Sequence, residues 1–325
     1  MNIPTSLRRA KVPVALTAAV MLTAAACGGA DAGSSGGQGG DTLAGTVKAD
    51  GSSTVAPLST VAAQLFQAKN AGVKVTVGTS GTGGGFEKFC NGETDISNAS
   101  RPIKDKEKAA CEAKGIKYEA FTVANDGLSV VVSKDNDFVD CLTIPQLKKI
   151  WEPGSKVNNW NQVDPSFPDE KLVLFGAGTD SGTFDYFTEA VNGKSKASRT
   201  DYSPSEDDNV TVQGVAGSKG GMGYFGLSYF EENKSKLKAL KIDGGKGCVE
   251  PSVKTVQDGT YAPLGRPLFI YPKASSLEKK EVEAFVEFYV ENSAEIAKKA
   301  QFVPLNATQE AELKKDLETL KAAHK

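Results

Sequence analysis

The stretch from Val73 to Phe86 reads VKVTVGTSGTGGGF, and it contains the pattern that decides the fold. Its first five residues alternate valine with polar residues, as in a half-buried β-strand. Glycine, serine and threonine follow, and we expect a short helix from Phe86 to Asn91. A strand that leads through a small-residue loop into a helix is typical of α/β proteins. We therefore predict an α/β fold.

Two other segments have the same order of strand, loop and helix. Gly51-Ser52-Ser53-Thr54 precedes a helix that would start near Pro57, a favoured residue in a first helical turn. Gly178-Thr179-Asp180-Ser181-Gly182-Thr183 lies between a predicted strand, Leu172–Phe175, and a helix from Phe184. The three segments are called loops 1, 2 and 3 below: residues 51–54, 79–85 and 178–183.

Each loop combines features that favour an anion. A helix start exposes unpaired N–H groups and the positive end of the helix dipole. Glycines allow close approach of the backbone, and Ser and Thr hydroxyls add neutral donors. In a single loop these hydroxyls would be read as simple helix caps, whereas three similar loops in one chain indicate anion binding. Loop 2 is no Walker A motif, because no Lys follows its glycines, and it lacks the acidic residue of a dinucleotide site.

The length and the net charge of the chain limit the classes of function that the sequence allows. A chain of 325 residues is long enough for two domains. Its net charge of −2, without a dominant basic block, argues against nucleic-acid binding. An anion would therefore be held by local geometry and not by a diffuse positive field.

The N-terminus is typical of an export signal. Basic residues at Arg8, Arg9 and Lys11 precede an apolar run, Val12–Ala26, that is short for a membrane span. We predict a signal peptide over residues 1–26.

The residue after this run, Cys27, follows three alanines in a segment that resembles a bacterial lipobox. The resemblance implies that Cys27 carries a lipid, although Ala24 stands where Leu is usual. An ordinary signal peptide with an incidental Cys is the alternative. Residues 27–45 are rich in Gly, Ser and Ala, and we predict a flexible linker there.

The other four cysteines are an even set in an exported chain, which favours disulfides. Four cysteines allow three pairings. We favour Cys90–Cys111, which closes a short loop, and Cys141–Cys248, which bridges the middle of the chain. A zinc site is the alternative, but no C-x-x-C pair or nearby His supports it.

Loops 1–3, the segment Thr94–Pro102 and the strand start Arg266-Pro267-Leu268 resemble the phosphate-binding subunit of the Pst-type ABC transporter. The resemblance extends from Thr46 to the C-terminus. It implies a two-domain periplasmic-binding-protein fold of type II, in which two crossing strands join the domains. Each domain would have a mostly parallel sheet flanked by helices. The domains would comprise residues 46–124 plus 265–325 and residues 125–264.

The resemblance also implies a set of phosphate ligands. Thr82 matches the loop 2 hydroxyl, with Ser80 as the alternative, and loop 3 would donate from its helix start. Some family members have an Asp where this chain has Ser100, and an Arg where it has Ala177. We expect Arg101 to supply the missing cation and Asp180 to accept the proton of the ligand; a surface salt bridge and a helix cap are their alternative roles. The predicted ligands are Ser52, Ser53, Thr54, Thr82, Ser100, Arg101, Asp180, Ser181, Gly182 and Thr183.

The predicted function is capture of inorganic phosphate outside the cytoplasm by a monomer anchored to the membrane through its lipid. The partner would be the permease of an ABC importer, and we expect no metal, cofactor or enzymatic activity. One alternative is a binder of sulfate, molybdate or tungstate. Another is a hydrolase with Ser181 as nucleophile, but the single histidine, His324, lies in a Lys-rich tail.

Overall fold

A computed structural model describes residues 43–324 and has a mixed α/β architecture, which confirms the predicted fold class. Most strands belong to one central sheet of nine strands. The strands in chain order are β1 Ala44–Gly51, β2 Gly72–Val77, β3 Ile96–Ala99, β4 Phe121–Ser133, β5 Cys141–Thr143, β6 Val173–Ala177, β7 Ser203–Ser205, β8 Gly221–Gly226, β9 Leu237–Ala239, β10 Lys241–Asp243, β11 Cys248–Val249 and β12 Gly265–Pro272.

The order of the central sheet is β2-β1-β3-β12-β4-β8-β6-β7, with β9 paired to β4. Strands β2, β1 and β3 are parallel at one end of the sheet, and β8, β6 and β7 are parallel at the other. Between them, β4 and β12 run antiparallel, with Arg266 opposite Asp126. The first part of β4 pairs with β12, and its second part pairs with β8. This strand of 13 residues therefore belongs to both halves of the sheet.

Helices flank the sheet and follow the loops of interest. Helices α1, α2 and α6 begin directly after loop 1, within loop 2 and within loop 3. Within residues 43–324, no helix is long and apolar enough to cross a membrane. The helices are α1 Ala56–Lys69, α2 Gly81–Cys90, α3 Asp105–Ala113, α4 Ile144–Trp151, α5 Trp160–Val163, α6 Gly182–Asn192, α7 Asp208–Ala216, α8 Leu227–Asn233, α9 Val253–Gln257, α10 Lys280–Glu291, α11 Ser293–Lys299 and α12 Ala307–His324, with a 3-10 turn at Ala274–Glu278.

Two large apolar clusters lie at the two ends of the sheet. The first core draws on residues 47–124 and 268–320, and it includes Phe66 and Phe285 in edge-to-face contact. The second core draws on residues 128–264, with Val303 added, and it stacks Phe187 on Tyr224. Residues 43–324 nevertheless form one compact unit, so the division into two domains stays a prediction.

Three sequence-based boundaries need correction. The linker predicted over residues 27–45 ends earlier, because Ala44 and Gly45 pair with β2 as the start of β1. Residues 221–229 are rich in glycine and aromatic residues, which predicts a strand; the strand stops at Gly226, and Leu227 begins helix α8. Helix α2 starts at Gly81 instead of Phe86, so the glycines of loop 2 are helical.

Both favoured disulfides are present. Cys90–Cys111 joins α2 to α3, and Cys141–Cys248 joins β5 to β11. The second bridge closes a separation of 107 residues, and it ties together two strands of the small sheet β11-β10-β5. Cys27 and the predicted signal peptide lie outside the described residues.

The glycines of α2 have a packing function. A Cβ atom added to Gly85 would lie 2.5 Å from the Cα of Gly51 and 3.0 Å from the carbonyl oxygen of Asp50. These distances are shorter than any normal contact, so only glycine lets α2 lie against the end of β1. A Cβ atom added to Gly83, two residues earlier, would have no neighbour closer than 3.9 Å.

We therefore expect opposite effects from two alanine substitutions in this helix. Gly85→Ala forces α2 away from loop 1 and should lower the free energy of unfolding by about 1–3 kcal/mol. Gly83→Ala should leave it unchanged or raise it by up to about 1 kcal/mol, because alanine favours helix. Urea unfolding of the two variants measures both effects, and equal effects would contradict the packing argument.

Helix α7 begins in an acidic segment, and one of its acidic residues, Asp208, is half-buried. Asp207 caps the helix, since its side chain accepts a hydrogen bond from the N–H of Asn209 at 2.9 Å. The next residue, Asp208, lines a small cavity of about 120 Å³ that it shares with Asp126 and Thr183. Burial raises the pKa of Asp208 to about 6, and the charges of Asp207 and Glu206 act in the same direction.

Because the pKa of Asp208 is higher in the folded chain than in the unfolded chain, the unfolded chain loses this proton first as the pH rises. The free energy of unfolding therefore falls between about pH 4 and about pH 6. Asp208→Asn removes this titration. We expect the variant to be more stable than the wild type by about 1–3 kcal/mol near pH 7.5 and equally stable near pH 4. Urea unfolding across this range is the measurement, and a difference that does not change with pH would contradict the prediction.

Candidate functional site

Loops 1 and 2 and the residues after β3 meet at one edge of the sheet. Strands β2, β1 and β3 are adjacent and parallel, so their carboxyl ends lie side by side, the usual place for a ligand in such sheets. A cavity of about 270 Å³, called the central cavity below, lies at this edge. It is lined by Ser52, Ser53, Thr54, Gly81, Thr82, Gly83, Ser100, Arg101, Lys104, Asp185, Tyr186, Glu189, Ser195 and Arg266.

Loop 1 is held in place by the backbone at the end of β3. The N–H of Ser52 donates to the carbonyl oxygen of Asn98 at 2.9 Å, and Gly51 has a φ of 143°. A Cβ atom on Gly51 would lie 2.1 Å from the same oxygen, so this position requires glycine. Within residues 43–324, no acceptor is found for the N–H groups of Ser53 and Thr54. These donors and the start of α1 therefore suit an anion.

Asp50 anchors loop 2. Its carboxylate accepts hydrogen bonds from the N–H and the hydroxyl of Ser80, at 3.0 and 2.7 Å, and from Lys88 at 2.6 Å. Burial would raise the pKa of Asp50, but the hydrogen bonds from Lys88 and Ser80 outweigh it and hold this pKa below its usual value. Because Ser80 is turned towards Asp50, the loop 2 hydroxyl at the central cavity is that of Thr82.

Thr82, Ser100 and Arg101 form one wall of the central cavity. The hydroxyl oxygens of Thr82 and Ser100 are 3.1 Å apart, and the N–H of Ser100 donates to Thr82 at 3.2 Å. Arg101 forms a bidentate ion pair with Glu107, at 2.9 and 2.7 Å. Burial would raise the pKa of Glu107, but the hydrogen bonds from Arg101 lower it. Arg101 thus both faces the cavity and takes part in a salt bridge.

Loop 3 packs beside loop 1, but its predicted ligands do not line the central cavity. The hydroxyl of Ser181 accepts a hydrogen bond from the N–H of Thr183, as a helix cap. A Cβ atom on Gly182 would lie 3.2 Å from the Cα of Thr54. Asp180 is exposed and, with Gly182, lines an adjoining groove of about 1020 Å³, whereas Thr183 lines the small cavity beside Asp208. The ligand roles of these residues stay predictions.

Helix α6 contributes other side chains to the central cavity, namely Asp185, Tyr186 and Glu189. Asp185 accepts a hydrogen bond from Ser53 at 3.5 Å, and the ammonium group of Lys196 lies 3.9 Å away. Burial raises the pKa of Asp185, while Lys196 and Ser53 act against this rise. Asp185 therefore contacts loop 1 at the central cavity, whereas Asp180, which the sequence singled out, does not line this cavity.

Arg266 on β12 is a second cation at the central cavity, and sequence reasoning assigned it no ligand role. Its guanidinium lies 3.4 Å from the centroid of the Tyr186 ring and donates to the hydroxyl of Thr54 at 3.2 Å. It also pairs with Asp126 at 3.4 Å. Burial raises the pKa of Asp126, and Arg266 opposes this rise. The sequence did contain a signal for this role, because an arginine lies near the start of a strand whose later residues are mostly apolar.

Metal and nucleophilic chemistry have little support in this part of the chain. Among residues 43–324, no group of three or more His, Cys, Asp or Glu side chains could hold a metal ion. The hydroxyl of Ser181 is used as a helix cap, and within the same residues no base hydrogen-bonds to it. His324 ends helix α12.

Residues 36–293 match the family described as the PBP superfamily domain. The protein SphX of Synechococcus elongatus is 52% identical over 264 residues, which are 80% of this chain and 78% of SphX. The phosphate-binding protein PstS of Staphylococcus saprophyticus is 45% identical over 292 residues, 88% of this chain and 87% of the relative.

Solved structures give the same result. A possible phosphate-binding protein from Planctomyces limnophilus is 48% identical, with a TM-score of 0.83 over 86% of this chain and 99% of that chain. An ABC-type phosphate transport receptor from Vibrio cholerae has a TM-score of 0.63 over 79% of this chain and 99% of its own; at 22% identity it supports the fold alone. The sequence match, the crossing strands between two cores and the loops at the sheet edge agree, and the chain belongs to the PBP superfamily.

Proposed function

We propose that the protein is an extracytoplasmic substrate-binding subunit that captures inorganic phosphate in the central cavity and delivers it to an ABC importer. The observation that carries this proposal is the convergence of loop 1, the Thr82–Ser100 pair and two arginines on one small cavity. Relatives named as phosphate-binding proteins, at 45% identity over most of the chain, support the choice of ligand.

The donors around the cavity suit a tetrahedral oxyanion. Backbone N–H groups of loop 1 and hydroxyls of Thr82 and Ser100 supply neutral hydrogen bonds. Arg101, which follows β3, and Arg266, on β12, supply charge-assisted hydrogen bonds. Arg266 takes over the cationic role for which Ala177 leaves no side chain, together with the sequence-predicted Arg101.

A carboxylate at the same cavity would select phosphate over sulfate. HPO4²⁻ carries a proton that a carboxylate can accept, whereas fully ionised sulfate would meet only repulsion. Asp185 lines the central cavity and already accepts from Ser53. We assign the acceptor role to Asp185 in place of the exposed Asp180.

Transport requires capture and release, and two cores on either side of a pair of crossing strands suit this task. We take residues 46–124 plus 265–325 and residues 125–264 as two domains that close around phosphate by a hinge at β4 and β12. The membrane permease of the importer would receive the closed form. This role needs no catalytic group, in keeping with the capping role of Ser181.

The first test is calorimetric titration of residues 28–325, freed of bound anion, with phosphate and then with sulfate. We expect one-to-one phosphate binding with a Kd of about 1 µM or lower and at least about a hundredfold weaker sulfate binding. Tight binding of sulfate, molybdate or tungstate with weak phosphate binding would keep the binding role and replace the ligand. A folded protein without heat from any oxyanion would refute the proposal.

Two matched variants in the same titration test the acceptor. Asp185→Asn should reduce the preference for phosphate over sulfate by about tenfold or more, because the amide no longer repels sulfate. Asp180→Asn removes an equal charge outside the cavity and should change this preference less than about twofold. The reverse result would return the acceptor role to Asp180.

We further propose that the protein is exported and anchored through a lipid on Cys27, with residues 28–43 as the tether. The basic and apolar segments before Cys27 and the lipobox-like alanines support this. Such an anchor would keep the binding domains near the permease.

Fractionation of bacterial cells tests the anchor. The wild-type chain should sediment with membranes, whereas Cys27→Ser should appear in the soluble extracytoplasmic fraction, because serine cannot form the lipid thioether. The variant should bind phosphate as the wild type does, since every residue found to line the central cavity lies at Ser52 or beyond. A wild-type protein found only in the soluble fraction would contradict the anchor.

A further inference from the structure

Arg266 touches groups that belong to both ends of the sheet. It lies on β12, one of the two crossing strands, and lines the central cavity. Its Nη2 atom donates to Thr54 of loop 1, which leads into Val55 of the first core. Its guanidinium stacks on Tyr186, a member of the second core. One side chain thus connects loop 1 with helix α6.

The position of the Tyr186 ring is well determined. The ring is buried, and its hydroxyl donates to the carbonyl oxygen of Pro263 at 2.7 Å. Burial keeps the pKa of Tyr186 well above its usual value, so this hydroxyl stays protonated and keeps donating. Because the hydroxyl is used in this way, the ring offers the cavity only its face, on which a guanidinium stacks well.

Within residues 43–324, not every N–H donor of the Arg266 guanidinium has an acceptor. Its Nε and Nη2 atoms contact Asp126 at 3.4 Å, and Nη2 also donates to Thr54. Among residues 43–324, no acceptor is found for Nη1. Arg199, a buried arginine of the second core region, differs in this respect: its Nη1 donates to the carbonyl oxygens of Ile150 and Val157, and its other nitrogens donate to Asp201.

From this geometry we infer that Arg266, besides contacting the anion, couples anion binding in the central cavity to the contact between loop 1 and helix α6. The inference rests on the proposed function. An oxyanion that accepts from Nη1 holds the guanidinium between Tyr186 and Thr54. It thereby draws the two sides of the cavity together. A lysine in this place would keep the charge but could neither stack nor bridge in the same way.

A double-mutant cycle tests the coupling, with phosphate affinity as the readout. Arg266→Lys should weaken phosphate binding by about tenfold or more, and Tyr186→Leu by about fivefold. In the Arg266→Lys background, Tyr186→Leu should cost less than about twofold, because the stack is already lost. Losses that multiply in the double variant would overturn the inference.

A structural readout accompanies the affinities. Small-angle scattering should show that phosphate reduces the radius of gyration of the wild type, and that saturating phosphate reduces that of Arg266→Lys by less. If the variant reaches the same compaction at saturation, Arg266 is a simple ligand contact and the inference fails. This readout needs only Arg266→Lys, so it decides the matter even if Tyr186→Leu does not fold.

Two controls separate coupling from general damage. Tyr186→Phe keeps the ring face and should therefore lose less phosphate affinity than Tyr186→Leu. Arg199→Lys disturbs a buried arginine away from the cavity; it should lower the melting temperature but change affinity less than about twofold. Wild-type protein that binds no phosphate would overturn the proposed function and this inference together, whereas binding with multiplicative losses would overturn the inference alone.

Discussion

The site depends on the close approach of the ends of β1 and β3 to helix α2, which two glycines permit. Gly51 has a backbone conformation that L-residues rarely adopt, and its Cα faces Gly85 of α2 and the carbonyl group of Asn98. A side chain at either glycine would push loop 1, α2 and β3 apart. The hydroxyls of Thr82 and Ser100 and the free N–H groups of loop 1 are brought together by this contact. The geometry of the cavity therefore depends first on how the backbones of loop 1, α2 and β3 pack together.

The arrangement of the charged side chains follows from a second constraint: a buried ion needs a partner of opposite charge. Each arginine at the central cavity has its own carboxylate, Glu107 for Arg101 and Asp126 for Arg266. Such pairs reduce the cost of burying a guanidinium before a ligand arrives, and they fix its orientation. The two pairs differ, because Glu107 holds Arg101 by two short hydrogen bonds whereas Asp126 holds Arg266 loosely at 3.4 Å. Arg266 thus keeps more freedom to engage a ligand and to join loop 1 to α6.

Some errors of the sequence-based prediction have clear physical causes. The glycines of loop 2 predicted a loop because glycine disfavours helix, yet they belong to α2, in which Gly85 packs against Gly51. The ligand role of loop 3 stays a prediction: like loop 1 it lies between a strand and a helix, but its Ser181 is used in capping α6. The pattern of Ser, Thr and Gly identifies a helix start and cannot tell which way the hydroxyls face.

The sequence by itself determined what depends on neighbouring residues. Alternation and loop composition predicted the α/β class and a helix with each of the three loops, and cysteine spacing favoured the two disulfides that are present. Only the tertiary structure decided which of these groups share a cavity. Arg266 and Thr54 are 212 positions apart, and Asp185 and Ser53 are 132 apart. Their contact follows from the crossing of β4 and β12 and from the packing of two cores. A local sequence pattern cannot predict this arrangement, because it is a property of the whole folded chain.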